Sequence, residues 1–247
     1  YYQDRLYIND GNGDFTRVSG VLPQMYNSTS CVRAVDFDKD GDLDLFVGGR
    51  LSPLKYPFPG TSYLLENRNG KFIDVTQNRA QGLRKAGMVT DALWTDFNMD
   101  GALDLIVVGE FMPITFFENI DGRLKNVSAQ TGLSHTSGWW NTINAGDFDN
   151  DGDVDYILGN LGLNAKYKAS KEKPITIYAL DYDQNGTIDP ILTTYREGKE
   201  YPVHSRDDLI KQVPVFKKKF PDYTSYARAT LDDILTPEEQ SRAYRAK

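Results

Sequence analysis

The apolar positions of this chain come in short runs, and clusters of Asp, Asn and Gly separate them. Cys31-Val-Arg-Ala-Val35, Asp91-Ala-Leu-Trp-Thr95 and Thr142-Ile-Asn-Ala-Gly146 each precede an acidic stretch. Leu43-Asp-Leu-Phe-Val47, Leu103-Asp-Leu-Ile-Val-Val108 and Val154-Asp-Tyr-Ile-Leu158 each follow one. Further strands are predicted in Tyr63–Gly70 and Lys71–Thr76, and again in Thr115–Gly122 and Arg123–Ser128, with Asn-Gly or Asp-Gly between them as hairpin signals. One unit is therefore four short antiparallel strands, with the acidic stretch joining strands one and two. The acidic stretches begin at Asp36, Asp96 and Asp147, and such a spacing is that of a propeller blade with insertions. Leu6–Phe15 matches strands three and four of a preceding unit.

The pattern predicts an all-β fold: a partial β-propeller of four-stranded antiparallel blades, about three and a half of them, over residues 1–204. The blades that would close a ring are expected outside this stretch. From 205 to 247 the period changes to a helical tail or an inter-blade insertion. Asp207–Val213 reads as a short helix stopped by Pro214, and Tyr223–Leu235 as a longer one. Thr236-Pro-Glu-Glu239 is a capping box that opens a third helix, expected to run to the end.

The acidic stretches share one nine-residue form: Asp, spacer, Asp/Asn, spacer, Asp/Asn, Gly, spacer, aliphatic, Asp. The copies hold Asp36, Asp38, Asp40, Asp42 and Asp44; Asp96, Asn98, Asp100, Ala102 and Asp104; Asp147, Asp149, Asp151, Asp153 and Asp155; and Asp181, Asp183, Asn185, Thr187 and Asp189. A chance match in a chain this long is on the order of 10⁻⁴, so four are not accidental. Ca²⁺ takes six to eight hard oxygen ligands, which a sharply turning loop supplies from side chains at positions 1, 3, 5 and 9 and the carbonyl at 7. Glycine at 6 permits the positive φ of the turn. The aliphatic residue at 8 (Leu43, Leu103, Val154, Ile188) is expected to anchor the loop in the core. An EF-hand is excluded: position 12 is Val47, Val107, Leu158 or Leu192, where that loop needs Glu, and the flanks read as strands. The fourth copy follows a predicted third strand, Ile175–Tyr178, and is expected to be an embellished hairpin of the third blade.

Charge supports this reading. The formal net charge is −7, and sixteen aspartates sit in the four loops. Four divalent ions would bring the balance to about +1. There is no basic stripe for nucleic acid and no apolar run of transmembrane length. Cys31 has no second cysteine to pair with and is expected to be a buried thiol. His135 and His204 lie far apart and form no zinc pattern. Two features invite binding: the basic insertion Leu161–Pro174, and Trp139-Trp140, which suits core packing or stacking on a sugar ring.

The motif Asp-Phe-Asp-x-Asp-Gly-Asp-Leu-Asp-Leu, its Gly-rich step and the Asn-x-x-Gly hairpin resemble FG-GAP/VCBS-type repeats, those of integrin α-subunit propellers and many secreted bacterial proteins. The resemblance covers roughly residues 5–203. It implies Ca²⁺ in the inter-strand loops, held by the aspartates and asparagines named above, an extracellular, cell-surface or periplasmic setting, and a role in adhesion or assembly. The Phe-Gly signatures are replaced by Gly48-Gly49, Gly109-Glu110 and Gly159-Asn160, which favours the bacterial VCBS-like branch.

The functional expectation is a calcium-stabilised, non-catalytic interaction or adhesion module whose partner is a protein or glycan at the cell surface. The alternatives are a carbohydrate-binding propeller and a propeller-type lyase or hydrolase. No Ser/His/Asp or Cys/His grouping recommends the latter.

Overall fold

The computed structural model describes residues 3–162 and 165–247. It is mostly β, with 40% strand and 14% helix, in antiparallel sheets. Contacts divide the chain into two compact units. The first is Tyr1–Pro53 with Pro59–Asn160, and the second is Leu54–Phe58 with Leu161–Lys247.

The first unit opens with the hairpin β1 (Leu6–Asn9) and β2 (Phe15–Val18), a two-stranded sheet. Next comes the four-stranded sheet of β3 (Ser28–Val35), β4 (Asp44–Leu51), β5 (Tyr63–Arg68) and β6 (Lys71–Asp74), paired in chain order. A helical turn, α1 (Thr76–Arg79), follows. The order recurs in β7 (Met88–Thr95), β8 (Asp104–Met112), β9 (Thr115–Ile120) and β10 (Arg123–Asn126). The expected four-strand unit is therefore present twice. Its outer hairpins turn as the sequence asks: Asn69-Gly70 and Asp121-Gly122 have positive φ at both residues, the geometry of a type I′ turn. β11 (Gly138–Gly146) pairs with β12 (Asp155–Asn160), and its first residues also pair with the end of β8. That second ladder was not anticipated.

β4 and β8 are near-continuous apolar runs because both of their faces are covered. In β8, Leu105 and Val107 enter one core with Phe37, Phe46, Leu64 and Phe117. Ile106 and Val108 enter another with Ile114, Phe116 and Ile143. In β4, Phe46 faces the first of these cores, and Val47 joins Met25, Leu65 and Phe72 on the other side. Successive sheets thus stack face on face with a core between each pair. Cys31 is buried in this packing, and burial pushes its thiol up to about 11.

The first strands of successive repeats are also stitched by polar side chains. Ser30 Oγ donates to Val89 O (2.6 Å), and Arg33 Nε donates to Ala92 O (2.8 Å) while its guanidinium pairs with Asp91. The other carboxylate oxygen of Asp91 accepts from Thr142 Oγ1 (2.8 Å) and Ile143 N (3.1 Å). One buried aspartate therefore ties three repeats together.

Trp140 donates Nε1 to Thr136 O (2.9 Å) and packs against the Ile106 core, and Trp139 tilts onto Phe111. Packing, not a paired stacking platform, accounts for both rings. Part of the Leu161–Pro174 insertion, residues 163–164, lies outside the described residues.

The second unit holds β13 (Thr176–Leu180), β14 (Asp189–Arg196), β15 (Lys199–Pro202) and β16 (Tyr244–Ala246) in the order β15-β14-β13-β16. Two expectations are corrected here. The fourth acidic loop is not a hairpin of the third repeat's sheet: β13 has β14 on one edge and β16 on the other, so neither edge is left for β12. The last residues are a strand, not the end of a helix, because the backbone is extended from Ala243 onward and pairs with β13.

The helices are α2 (Arg206–Gln212), α3 (Phe216–Lys219), α4 (Tyr223–Tyr226), α5 (Leu231–Ile234) and α6 (Pro237–Arg242). The helix expected over Tyr223–Leu235 is broken in two. Thr230 is extended and forms a capping box with Asp233, so it starts a new helix where the apolar pattern alone suggested continuity. Leu209, Val213, Phe216, Phe220, Leu231, Ile234 and Leu235 join Tyr178 and Ile191 in one core under the sheet.

His204 lies beside this core. Its carbonyl accepts from Tyr226 OH (2.7 Å), and its buried Nδ1 has no partner. Burial holds its pKa below the ordinary 6.5, opposed by Asp208. The folded state thus prefers the neutral ring, so its contribution is complete above about pH 6.5 and is lost as pH falls through the folded value. The urea midpoint of the wild type is expected to fall from pH 7.5 to 5.5 relative to that of His204→Phe. Parallel pH profiles for the two proteins would contradict the placement of His204.

Candidate metal-binding loops

A chain that reverses within nine residues leaves backbone N–H groups unpaired, and the motif's own side chains take them. In the first loop Asp36 accepts from Asp40 N and Gly41 N (both 3.1 Å), and Asp40 Oδ1 accepts from Asp42 N (2.9 Å). Asp96 accepts from Asp100 N and Gly101 N, and Asp100 from Ala102 N. Asp147 accepts from Asp151 N and Gly152 N, and Asp151 from Asp153 N. Asp181 accepts from Asn185 N and Gly186 N, and Asn185 from Thr187 N. In all four loops the aspartate at position 9 reaches back to the N–H at position 2: Asp44 to Phe37, Asp104 to Phe97, Asp155 to Phe148 and Asp189 to Tyr182.

The backbone repeats as closely. Gly41, Gly101, Gly152 and Gly186 have positive φ, as the sequence requires. Position 4 does too, in Lys39, Met99, Asn150 and Gln184. No residue type marks that position, so its left-handed geometry was invisible in the sequence.

The carboxylates converge in three loops. Asp36, Asp38 and Asp40 offer oxygens within 4.8 Å of one another, as do Asp147, Asp149 and Asp155, and Asp181, Asp183 and Asp189. The second loop shows no such trio among the described residues. Its third position is Asn98, whose Nδ2 turns to Asp100 Oδ2 (2.9 Å) and Glu118 Oε1 (3.3 Å). Position 7, held by Asp42, Ala102, Asp153 and Thr187, is expected to offer its backbone carbonyl, and the acidic side chains found there, Asp42 and Asp153, stand outside the trios.

The electrostatics suit a cation. Burial pushes Asp44 and Asp104 up to about 6, only partly offset by the N–H groups that each accepts, and their neighbours Asp38 and Asp40, or Asp100 and Asp96, push the same way. Asp153 is raised by Asp151 beside it. Asp189 is raised by burial. Asp38 Oδ1 is buried without a hydrogen-bond partner. Hard oxygens gathered in excess of the N–H groups they satisfy fit a Ca²⁺ ion.

Three of the four expected anchors prove wrong, and the fourth, Ile188, is only half-buried. Leu43, Leu103 and Val154 are 61%, 42% and 46% exposed. The loop is anchored instead by position 9, whose Asp44, Asp104 and Asp189 are buried, and in the first loop also by the buried Phe37. A second anchor is the Asn of each Asn-x-x-Gly hairpin. Asn67 accepts from Gly70 N and donates to Leu43 O (3.2 Å), while its own N–H donates to Asp44 (2.7 Å). Asn119 accepts from Gly122 N, donates to Leu103 O (3.0 Å) and to Phe37 O of the first loop (2.8 Å), and gives its N–H to Asp104 (2.7 Å). Sequence reading saw these asparagines only as turn formers.

Comparison with known families places a model described as an FG-GAP-like repeat on residues 1–47 and 96–158, a match that includes the first three acidic loops. Those two stretches are similar to FG-GAP-like repeats, a type typical of extracellular interaction proteins. No curated protein matches the chain.

Asn119 is buried and serves two loops and a turn at once. Asn119→Ala is therefore expected to lower unfolding free energy by about 2–4 kcal/mol, with or without calcium. Asn67→Ala, at a less buried position, should cost about 1 kcal/mol. Urea denaturation of both variants checks the ranking, and equal costs would contradict it.

Proposed function

We propose that this chain is a calcium-stabilised, non-catalytic interaction module made of FG-GAP-like repeats, the blades of a partial propeller that works outside the cytoplasm. One observation carries the reading: four loops of different sequence fold with the same hydrogen-bond net and leave carboxylates crowded at a common centre in three of them. Such crowding costs free energy unless a cation offsets it. Asp36, Asp38, Asp40 and Asp44 would hold one ion, Asp147, Asp149, Asp151 and Asp155 a second, and Asp181, Asp183, Asn185 and Asp189 a third. The second loop, with Asp96, Asn98, Asp100 and Asp104, would close only if Asn98 turned its oxygen inward. When bound, the ion supplies charge neutralisation and ties both ends of the loop together.

The loops join strands within sheets, so an ion there stiffens the scaffold rather than attacks a substrate. His204 gives no support to an acid–base role: it is half-buried, its buried Nδ1 has no partner, and its ring is held toward the neutral form. The partner is a protein or glycan presented at a cell surface; the net negative charge speaks against nucleic acid. No helix of the described residues is long and apolar enough to cross a membrane. The replaced Phe-Gly signatures support the bacterial VCBS-like branch.

Thermal unfolding in EDTA and in millimolar Ca²⁺ tests the proposal. A site held at 100 times its dissociation constant contributes about 2.7 kcal/mol, so occupied loops should raise Tm by at least roughly 5 °C. An unmoved midpoint would sink it.

A further inference from the structure

A guanidinium sits on the first loop. Arg79, the last residue of α1, donates Nη1 to Asp38 Oδ2 (2.7 Å), and its Nη2 lies 3.3 Å from Glu66 Oε2. Its guanidinium carbon lies 5.6 Å from the centre of the Phe37 ring, over the second position of the same loop. Glu66 is buried, and its other oxygen accepts from Arg68 Nε (2.6 Å). The pairing is covered by the outer hairpin of the next sheet: a Cβ at Gly122 would come within 3.0 Å of Asp38 Cβ and 3.2 Å of Arg79 Nη1. Arg123 of that hairpin donates to Asn78 O, next to Arg79 (3.1 Å). Among the described residues no guanidinium is bonded to the acids of the third or fourth loop. The converging trio also differs. It uses positions 1, 3 and 5 in the first loop, and positions 1, 3 and 9 in the third and fourth.

We infer that Arg79 is a built-in cation for the first loop, which keeps that loop folded without a divalent ion and weakens its hold on Ca²⁺ relative to the third and fourth loops. The inference rests on the proposed calcium binding. Arg79 takes Oδ2 of Asp38 and leaves Oδ1, a buried atom without a hydrogen-bond partner, as the oxygen still open to a ligand. A divalent ion entering there meets a fixed positive charge, and the half-buried position screens the repulsion less than open solvent does. Because the hairpin of the second sheet closes over the pair, the same arginine secures the junction between two repeats when calcium is scarce. The third and fourth loops have no such substitute and depend on the ion itself.

Isothermal titration of Ca²⁺ into the full 247-residue chain tests this. Wild type, Arg79→Met, Arg79→Lys and Asp38→Asn are compared, and the class of sites lost in Asp38→Asn identifies the first loop. Arg79→Met should bind Ca²⁺ at that class roughly three- to tenfold more tightly and should melt at a lower temperature in EDTA. Unchanged or weaker binding at that class, with the remaining sites as in wild type, overturns the role given to Arg79 alone. Absence of binding in every protein overturns it together with the calcium reading. If Arg79→Met does not fold in chelator, Arg79→Lys decides. Its ammonium has no fork to bond Asp38 and Glu66 together, so a gain of about twofold or more supports the inference and no change rejects it.

Discussion

The structure depends on one constraint: a nine-residue reversal between strands must satisfy its own backbone N–H groups. The acidic side chains that do so are then brought together against their mutual repulsion. Position 1 takes two N–H groups, position 5 a third, and position 9 closes the turn onto position 2. Aspartate and asparagine suit this because their oxygen lies only two bonds from Cβ, within reach of the local backbone. The same economy explains why the loops look like metal sites even before an ion is considered. Each carboxylate oxygen that accepts one N–H still has a lone pair to offer.

These loops matter because they sit at the ends of the most buried strands. β4 and β8 begin at Asp44 and Asp104, both fully buried, and run directly into residues that pack on two cores at once. A shift in a loop would be felt on both faces of its sheet. The lateral links work in the same direction: Asp91 joins three repeats, Asn119 bridges two loops, and Arg79 spans the first loop and Glu66. Repeat proteins owe their stability to such neighbour-to-neighbour interfaces.

Much of this was legible in the chain. The alternation around Cys31–Val35 and Leu43–Val47 located the strands, Asn69-Gly70 and Asp121-Gly122 the hairpins, and the aspartate spacing the loops. What was not legible has physical reasons. Leu43, Leu103 and Val154 look like core anchors, yet the buried aspartate beside each of Leu43 and Leu103 takes the inward place, and alternation turns the aliphatic outward. The left-handed residues at Lys39, Met99, Asn150 and Gln184 carry no compositional mark. β16 is too short to announce itself, and its pairing with β13 is a long-range choice that also decided which sheet the fourth loop joins. Thr230 broke a helix through a cap that the apolar spacing concealed. Arg79 reaches Asp38 across a distance in sequence that no local pattern encodes.

The central claim is that the crowded carboxylates share a divalent ion. Crystals grown with Ca²⁺ and measured at a long X-ray wavelength address it directly, since bound calcium then shows in the anomalous difference map. The account predicts peaks inside the loops that begin at Asp36, Asp147 and Asp181, each ringed by the side chains of positions 1 and 3. A map with no peak in any of them, and those side chains turned away from one another into solvent, would contradict it.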